Sequence, residues 1–331
     1  MILDGNSDSA IAQAAGVLAA GGLVAFPTET VYGLGADAGN DEAVARIFIA
    51  KGRPSDHPLI VHVPDASAVA SFAAQVPEFA TRLMDAFWPG PLTLILPRRE
   101  GVAVAAAAGQ PTIGLRCPAH PVAHALLLAC ARAWPRVAGL AAPSANKFGR
   151  VSPTTAEHVR SEFDEGLLVL DGGACRVGIE STIIDCTRGE PVLLRPGALT
   201  REQLEGACGR RLLAAHELVG DTPRASGTLE SHYAPRARVR LMDAASLQKA
   251  LDVLGAQAAG IAIYSRVILQ TPSGQVLRRR MPDDAVETAR QLFAVLREFD
   301  AQGVQLIWVE MPPDLPQWEG VRDRLQRASA G

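Results

Sequence analysis

The sequence predicts an α/β fold built on a twisted mixed sheet with flanking helices, followed by a smaller α/β unit. Strand-like and helix-like runs alternate along the chain, and several strands are parted only by short turns, which disfavours a purely parallel sheet. The alternation lapses near residue 211 and resumes near 238. At roughly 150 residues per domain, 331 residues accommodate about two domains. The expected organisation is a first domain over 1–210, a linker or lid over 211–237 and a small accessory domain over 238–331.

Helical periodicity covers 8–20, 41–50, 76–87, 121–133 and 154–162. Apolar runs at 23–26, 59–63, 92–97, 111–116, 138–142, 167–170, 179–185 and 191–195 read as strands. The apolar stretch 14–26 is too short to span a bilayer and joins a helix end to a buried strand. After the Pro196-Gly197 break, 200–210 forms a short helix. Gly220, Pro223, Gly227 and Pro235 then punctuate a stretch long enough to act as a lid. Strands 237–241, 260–264 and 304–309 alternate with helices 244–254, 284–299 and 319–328, Rossmann-like in outline but without G-x-G-x-x-G.

Composition narrows the function classes. With 48% hydrophobic and 20% charged residues, the chain is globular. A net charge of −3 argues against wrapping in polyanion while leaving room for a local basic groove. Three of the thirty-two basic residues are lysine (Lys51, Lys147, Lys249), which makes those positions worth inspecting. With no Lys or Arg before Arg46, no signal peptide is expected, and the five scattered cysteines suit reduced thiols in a cytoplasmic protein. His120 and His124 share a helical face, but no third ligand is near and Pro121 marks a helix start, so no protein metal site is expected. G-x-x-x-x-G-K-[ST] and G-x-S-x-G are both absent, which removes the P-loop and the serine-hydrolase elbow.

Four polar clusters interrupt the apolar pattern. In "FPTETVYGLGAD" (26–37), threonines and a glutamate follow a strand directly; Thr28 or Thr30 could bind a ligand or cap a helix. In "KGRPSDHPLIVH" (51–62), Lys51 and Arg53 follow a helix and could point together at phosphates, or simply form a solvated helix end. In "PTIGLRCP" (111–118), Arg116 ends an apolar strand, as a bidentate carboxylate clamp or as a structural ion pair. In "LAAPSANKFGRVSPTT" (140–155), small hydroxyls and amides lie on a tight turn suited to phosphate oxygens, and Ser152-Pro153 caps the next helix. "GIESTIID" (178–185) and "LLRPGA" (193–198) add Arg195 at another strand end. Cations and hydroxyls without a nucleophile–base pair suggest electrostatic handling of phosphate and carboxylate.

Taken in order, "PTETVYGLG", "KGRP…PLIVH", "SANKFGRVSPTT", "GIESTIID", "LRPGA" and "SGTLESHYAP" resemble the threonylcarbamoyl-AMP synthase family with the YrdC-like fold, in its long two-domain form. The strings span about residues 10–235; beyond 238 the similarity is one of position and α/β character. The resemblance implies a nucleotidyltransferase that makes L-threonylcarbamoyl-AMP, pyrophosphate and water from L-threonine, bicarbonate and ATP, with Mg²⁺ accompanying ATP. It implies threonine contacts at Thr30, His62, Arg116, the backbone around Ala142, and Ser181. ATP contacts fall at Lys51, Arg53, His57, Thr112, Ser144, Asn146, Ser152 and Arg195, with Lys51, Arg53 and Arg195 stabilising the departing pyrophosphate. His232 and Tyr233 correspond to the segment that closes over the nucleotide. Implied partners are the downstream tRNA threonylcarbamoyl transferase machinery and a weak tRNA contact, with no membrane.

Two departures stand out: His57 replaces the common Asn, and Ser226 stands where Pro usually precedes Gly, leaving the linker less restricted. The competing reading is a non-catalytic RNA-binding module using the same basic concavity, although 5% aromatic residues is few for a stacking platform. Carbamoyl transfer, as in related domains of hydrogenase maturation proteins, is a third, but the zinc-finger-like segments of those proteins are missing from this sequence.

Overall fold

A computed structural model of the chain describes residues 1–217, 222–228 and 232–331, so 218–221 and 229–231 of the expected linker lie outside the described residues. The chain divides into two compact units, Met1–Phe148 with Ser152–Thr228, and Gly149–Val151 with Leu229–Gly331.

The first unit begins β1 (Ile2–Asp4), α1 (Asp8–Ala19), β2 (Val24–Phe26), β3 (Gly33–Asp37), α2 (Asp41–Lys51), β4 (Ile60–His62) and α3 (Glu78–Phe87). It continues with β5 (Leu92–Pro97), β6 (Thr112–Arg116), α4 (Pro121–Arg132), β7 (Leu140–Ala141), α5 (Ala156–Arg160) and β8 (Leu168–Asp171). β9 (Thr182–Asp185), β10 (Val192–Arg195), α6 (Arg201–Cys208) and β11 (Leu213–Ala214) complete it. The described strands form one mixed sheet in the order β1-β8-β2-β3-β7-β4-β6-β5-β9-β10-β11. β4 runs parallel to β6, while β5 is antiparallel to β6 and parallel to β9.

Strand alternation sorts the core onto two faces. Val24 and Phe26 pack with Leu18 of α1 and Leu126 of α4, whereas Ala25 belongs with Ile47 of α2, Leu83 of α3 and Leu204 of α6. Helix ends follow local chemistry: Pro121 opens α4 at its first turn, and Gly52 ends α2 at φ 63°, a left-handed conformation that glycine adopts without steric cost.

The second unit holds β12 (Arg238–Met242), α7 (Ala244–Leu254), β13 (Ile261–Ser265), β14 (Leu277–Arg280), α8 (Ala285–Ala301), β15 (Leu306–Glu310) and α9 (Glu319–Ser329). Its described strands form a parallel sheet in the order β12-β15-β13-β14.

Periodicity does not reveal β1, β3, β11 or β14. β3 reads Gly-Leu-Gly-Ala-Asp, poor in strand formers, yet it pairs with β2 because Gly35 leaves room for the Phe26 ring; a Cβ there would sit 2.8 Å from that ring. β14 reads Leu-Arg-Arg-Arg, a charged edge strand of the kind that discourages pairing with another chain. The helix expected at 154–162 shortens to α5, and its cap is the Thr155 hydroxyl, which accepts from His158 N at 3.2 Å; Ser152 does not cap it.

Candidate functional site

The site grows from loops at strand ends of the first unit. Between β2 and β3 the chain turns through Thr28–Val31, and this turn replaces the helix cap that was one reading of the motif. Thr28 Oγ1 donates to Val31 O at 2.7 Å, receives the Thr30 and Val31 amides, and lies 2.8 Å from Thr30 Oγ1. Tyr32 N donates to Pro153 O and Ala145 N donates to Tyr32 O, stitching this turn to the two serine-bearing segments.

Lys51 is the last residue of α2, buried rather than displayed from a loop, and its Nζ donates to Ser144 O and Asn146 O, each at 2.5 Å. It therefore shapes the Ser144–Asn146 turn, so the solvated helix end is excluded. Burial and the nearby Arg53 charge push the Lys51 ammonium down. Arg53 Nη2 donates to Pro58 O and Ser226 Oγ, both at 3.1 Å, and its guanidinium lies 5.6 Å from the Phe148 ring centroid. His57 meets the same ring edge-on at 5.5 Å; burial first, then Arg53, lowers its pKa.

β4 and β6 place His62 directly beside Arg116 in register. His62 is buried, with no partner for its Nδ1 among the described residues and its pKa pushed down to about 3, by burial first and by Arg116 second. Arg116 Nη2 donates to the Glu29 carboxylate at 2.6 Å and Nε donates to Gly90 O at 3.3 Å, so the ion-pair reading of this arginine is realised. Ala142 follows β7 and donates its amide to Ile60 O.

Ser181 Oγ lies 2.8 Å from Thr93 Oγ1 and accepts from Arg195 Nη2 at 3.1 Å, while Ser181 O accepts from Arg195 Nε and Nη2. Ser152 Oγ donates to Glu180 through a short hydrogen bond. Gly197 lets the chain after Arg195 pass close to this segment; a Cβ there would stand 2.6 Å from Thr182 N. Thr112 opens β6 beside a cavity of about 20 Å³, whose lining includes Thr93, Gln110 and Arg224–Ser226. That is space for about one water molecule.

The linker residues 222–228 make hydrogen bonds and an ion pair within the first unit. Arg195 Nη1 donates to Ser226 O at 2.9 Å, Gln110 Oε1 accepts from Arg224 N at 2.9 Å, and Arg224 pairs with Asp56 at 3.1 Å. His232 and Tyr233 belong to the second unit and are buried there; the Tyr233 ring stacks on Phe293 at 5.5 Å and lies under Arg324 at 5.2 Å.

Glu29, Thr93, Gln110 and Glu180 were given no role from sequence. A carboxylate inside each of two hydroxyl-rich motifs was the available signal for Glu29 and Glu180, since four buried cations need partners. His120 caps α4, its Nδ1 accepting from Val122 N at 3.2 Å, and among the described residues no three-ligand cluster for a metal occurs.

The strand-end loops thus gather a histidine beside a buried arginine, with further buried cations held among small hydroxyls. The family described as Telomere recombination, with its Sua5, YciO and YrdC members, matches residues 16–197. The C-terminal domain of threonylcarbamoyl-AMP synthases matches residues 199–330. The chain belongs to this family, in its two-domain form. It is 40% identical over 321 residues to the threonylcarbamoyl-AMP synthase of Pyrococcus abyssi, covering 96% of this chain and 93% of the relative. The Bacillus subtilis threonylcarbamoyl-AMP synthase is 39% identical, with 98% and 94% covered. The crystal structure of P. abyssi Sua5 complexed with L-threonine superposes with a TM-score of 0.89 at 38% identity, covering 99% of this chain and 97% of that one.

Proposed function

We propose that the chain synthesises L-threonylcarbamoyl-AMP from L-threonine, bicarbonate and ATP, releasing pyrophosphate and water, as a step in tRNA threonylcarbamoyladenosine modification beside the anticodon. The observation that carries the reading is the register pairing of His62 with Arg116, which sets a neutral hydrogen-bonding ring against a carboxylate-binding cation. The threonine carboxylate meets Arg116, while Thr30 and Ser181 orient its amine and hydroxyl. The amine attacks CO₂ derived from bicarbonate, and the carbamate oxygen formed attacks the α-phosphate, expelling pyrophosphate. Lys51, Arg53 and Arg195 offset the charge that grows on the leaving group. Ser144, Asn146, Ser152, Thr112 and His57 complete the nucleotide contacts.

Mg²⁺ would enter with ATP, most of its ligands being phosphate oxygens and water. The donor set suits that arrangement, because Glu162 and Glu180 are carboxylates in electrostatic contact with Lys51, beside the cations Arg53 and Lys147. When bound, the ion would supply charge neutralisation on the phosphates. The RNA-binding alternative loses support from burial: Lys51, Arg53, Arg116 and Arg195 are each 3–8% exposed, too enclosed for a nucleic-acid backbone. Among the described residues no helix is long and apolar enough to cross a membrane. Pyrophosphate release from ATP that requires both threonine and bicarbonate, with the product identified by mass, tests the proposal. ATP turnover indifferent to threonine would refute it.

A further inference from the structure

We propose that Glu29 is the positioning residue of the amino-acid pocket. Its carboxylate sets Arg116 so that one end of the guanidinium faces the substrate, and it keeps phosphate-type anions out. This rests on the reading that Arg116 binds the threonine carboxylate.

Glu29 and Arg116 are both buried, with side chains 10% and 5% exposed, and lie 2.6 Å apart. Taking two charges out of water is costly, and apolar side chains of similar size commonly stabilise a fold as well or better. Stability alone therefore gives no reason for the pair. Its geometry does. Arg116 uses Nε toward Gly90 O and Nη2 toward Glu29 Oε1, the two donors that share one edge of the guanidinium. Nη1 makes no hydrogen bond among the described residues, so the end-on Nη1–Nη2 fork remains for a planar carboxylate.

Glu29 is itself held from two other directions. Its Oε2 accepts the Ala119 amide at 3.0 Å, from the turn entering α4, and its backbone carbonyl accepts Val177 N at 2.7 Å. The guanidinium direction is thereby fixed by segments remote in sequence. Glu29 also supplies the only carboxylate hydrogen-bonded to Arg116 among the described residues. With it Arg116 belongs to a balanced pair; without it, Arg116 is a lone buried cation that any small anion would neutralise. A singly charged amino-acid carboxylate tolerates a neighbouring Glu29, whereas a doubly charged phosphate is repelled.

The test uses the full chain. Glu29→Gln keeps the shape and one acceptor oxygen, for Ala119, but removes the charge and the acceptor facing Arg116. We expect the threonine KM to rise at least tenfold, with the ATP KM and the kcat at saturating threonine within twofold of wild type. Inorganic phosphate at millimolar concentration should become a competitive inhibitor against threonine. Glu29→Asp, which retains the charge on a shorter arm, should give an intermediate threonine KM without the phosphate inhibition; if the Gln variant does not fold, this variant carries the comparison. Arg116→Ala serves as the reference. If it leaves the threonine KM unchanged, the underlying reading of Arg116 fails. If it raises that KM while the Glu29 variants do not, the role of Glu29 fails and that of Arg116 stands. A parallel loss of kcat and of both KM values would make Glu29 a folding element only and overturn the proposal.

Discussion

His62→Gln offers a quantitative probe of the pocket, because the perturbation is electrostatic and its pH window is set by the structure. His62 is buried, and its pKa falls from the ordinary 6.5 to about 3, through burial and then through Arg116. The folded-state pKa is thus depressed. The unfolded chain takes up a proton as pH drops through 6.5, whereas the folded chain does so only near 3. Stability contributed by the neutral ring is complete above the unfolded value and is lost progressively below it. Between pH 7.5 and pH 5 the loss amounts to roughly 2 kcal/mol, from about 1.4 kcal/mol per pH unit over some 1.5 units. That figure stays the same wherever below 4 the folded value falls. Glutamine does not titrate, so the variant should lack this component whatever its absolute stability. Hydrogen exchange of amides in β4 and β6 across a urea series reports the unfolding of the first unit. Wild type should lose about 2 kcal/mol more than His62→Gln between the two pH values. Parallel losses would mean that His62 is solvated or charged in the fold, and the neutral-ring account would be wrong.

Three further outcomes are expected. Thr93→Val removes the hydroxyl 2.8 Å from Ser181 Oγ; at about 1 kcal/mol for such a bond, the threonine KM should rise about fivefold with the ATP KM unchanged in steady-state kinetics. Ser226→Ala removes a hydrogen bond to Arg53 in a segment that crowds Thr112, so the ATP KM should fall by a factor of about two to five; a rise would show that Ser226 builds the nucleotide site. Arg324→Met removes a fully buried cation paired with Asp323 at 2.5 Å and set against Tyr233. Asp323 keeps its pair with Arg327 at 2.9 Å, so the second unit should lose about 1–3 kcal/mol, read as earlier loss of exchange protection in α9 and β12.

Much of the site was legible because its motifs follow strands whose apolar runs are unmistakable. His62, Arg116 and Arg195 close strands whose existence the apolar runs reveal, although the exact ends shift by a residue or more and the role expected of His62 comes from the family resemblance. Partner choice was less legible. Arg116 as clamp and Arg116 as ion pair look identical in one dimension, since Glu29 lies 87 residues away and meets it only through the sheet order. Lys51 is similar: its sequence neighbours suggest a cation on a loop, but its carbonyl partners are contributed from beyond residue 140. β3 escaped notice because two glycines give it no strand signature, and only the Phe26 ring packed against Gly35 explains it. Serine for proline removes a local restraint, yet Arg53, Arg195, Gln110 and Asp56 restore it through tertiary contacts.

In the proposed function the buried cations divide the labour, Arg116 serving the amino acid and Arg195 chiefly the triphosphate. The most direct test measures threonine and ATP KM values side by side for Arg116→Ala and Arg195→Ala. A crossed pattern is expected: Arg116→Ala raises the threonine KM at least tenfold and spares ATP, whereas Arg195→Ala raises the ATP KM at least tenfold and, through its lost bonds to Ser181, the threonine KM by no more than about fivefold. Equal effects of either variant on both substrates would contradict it.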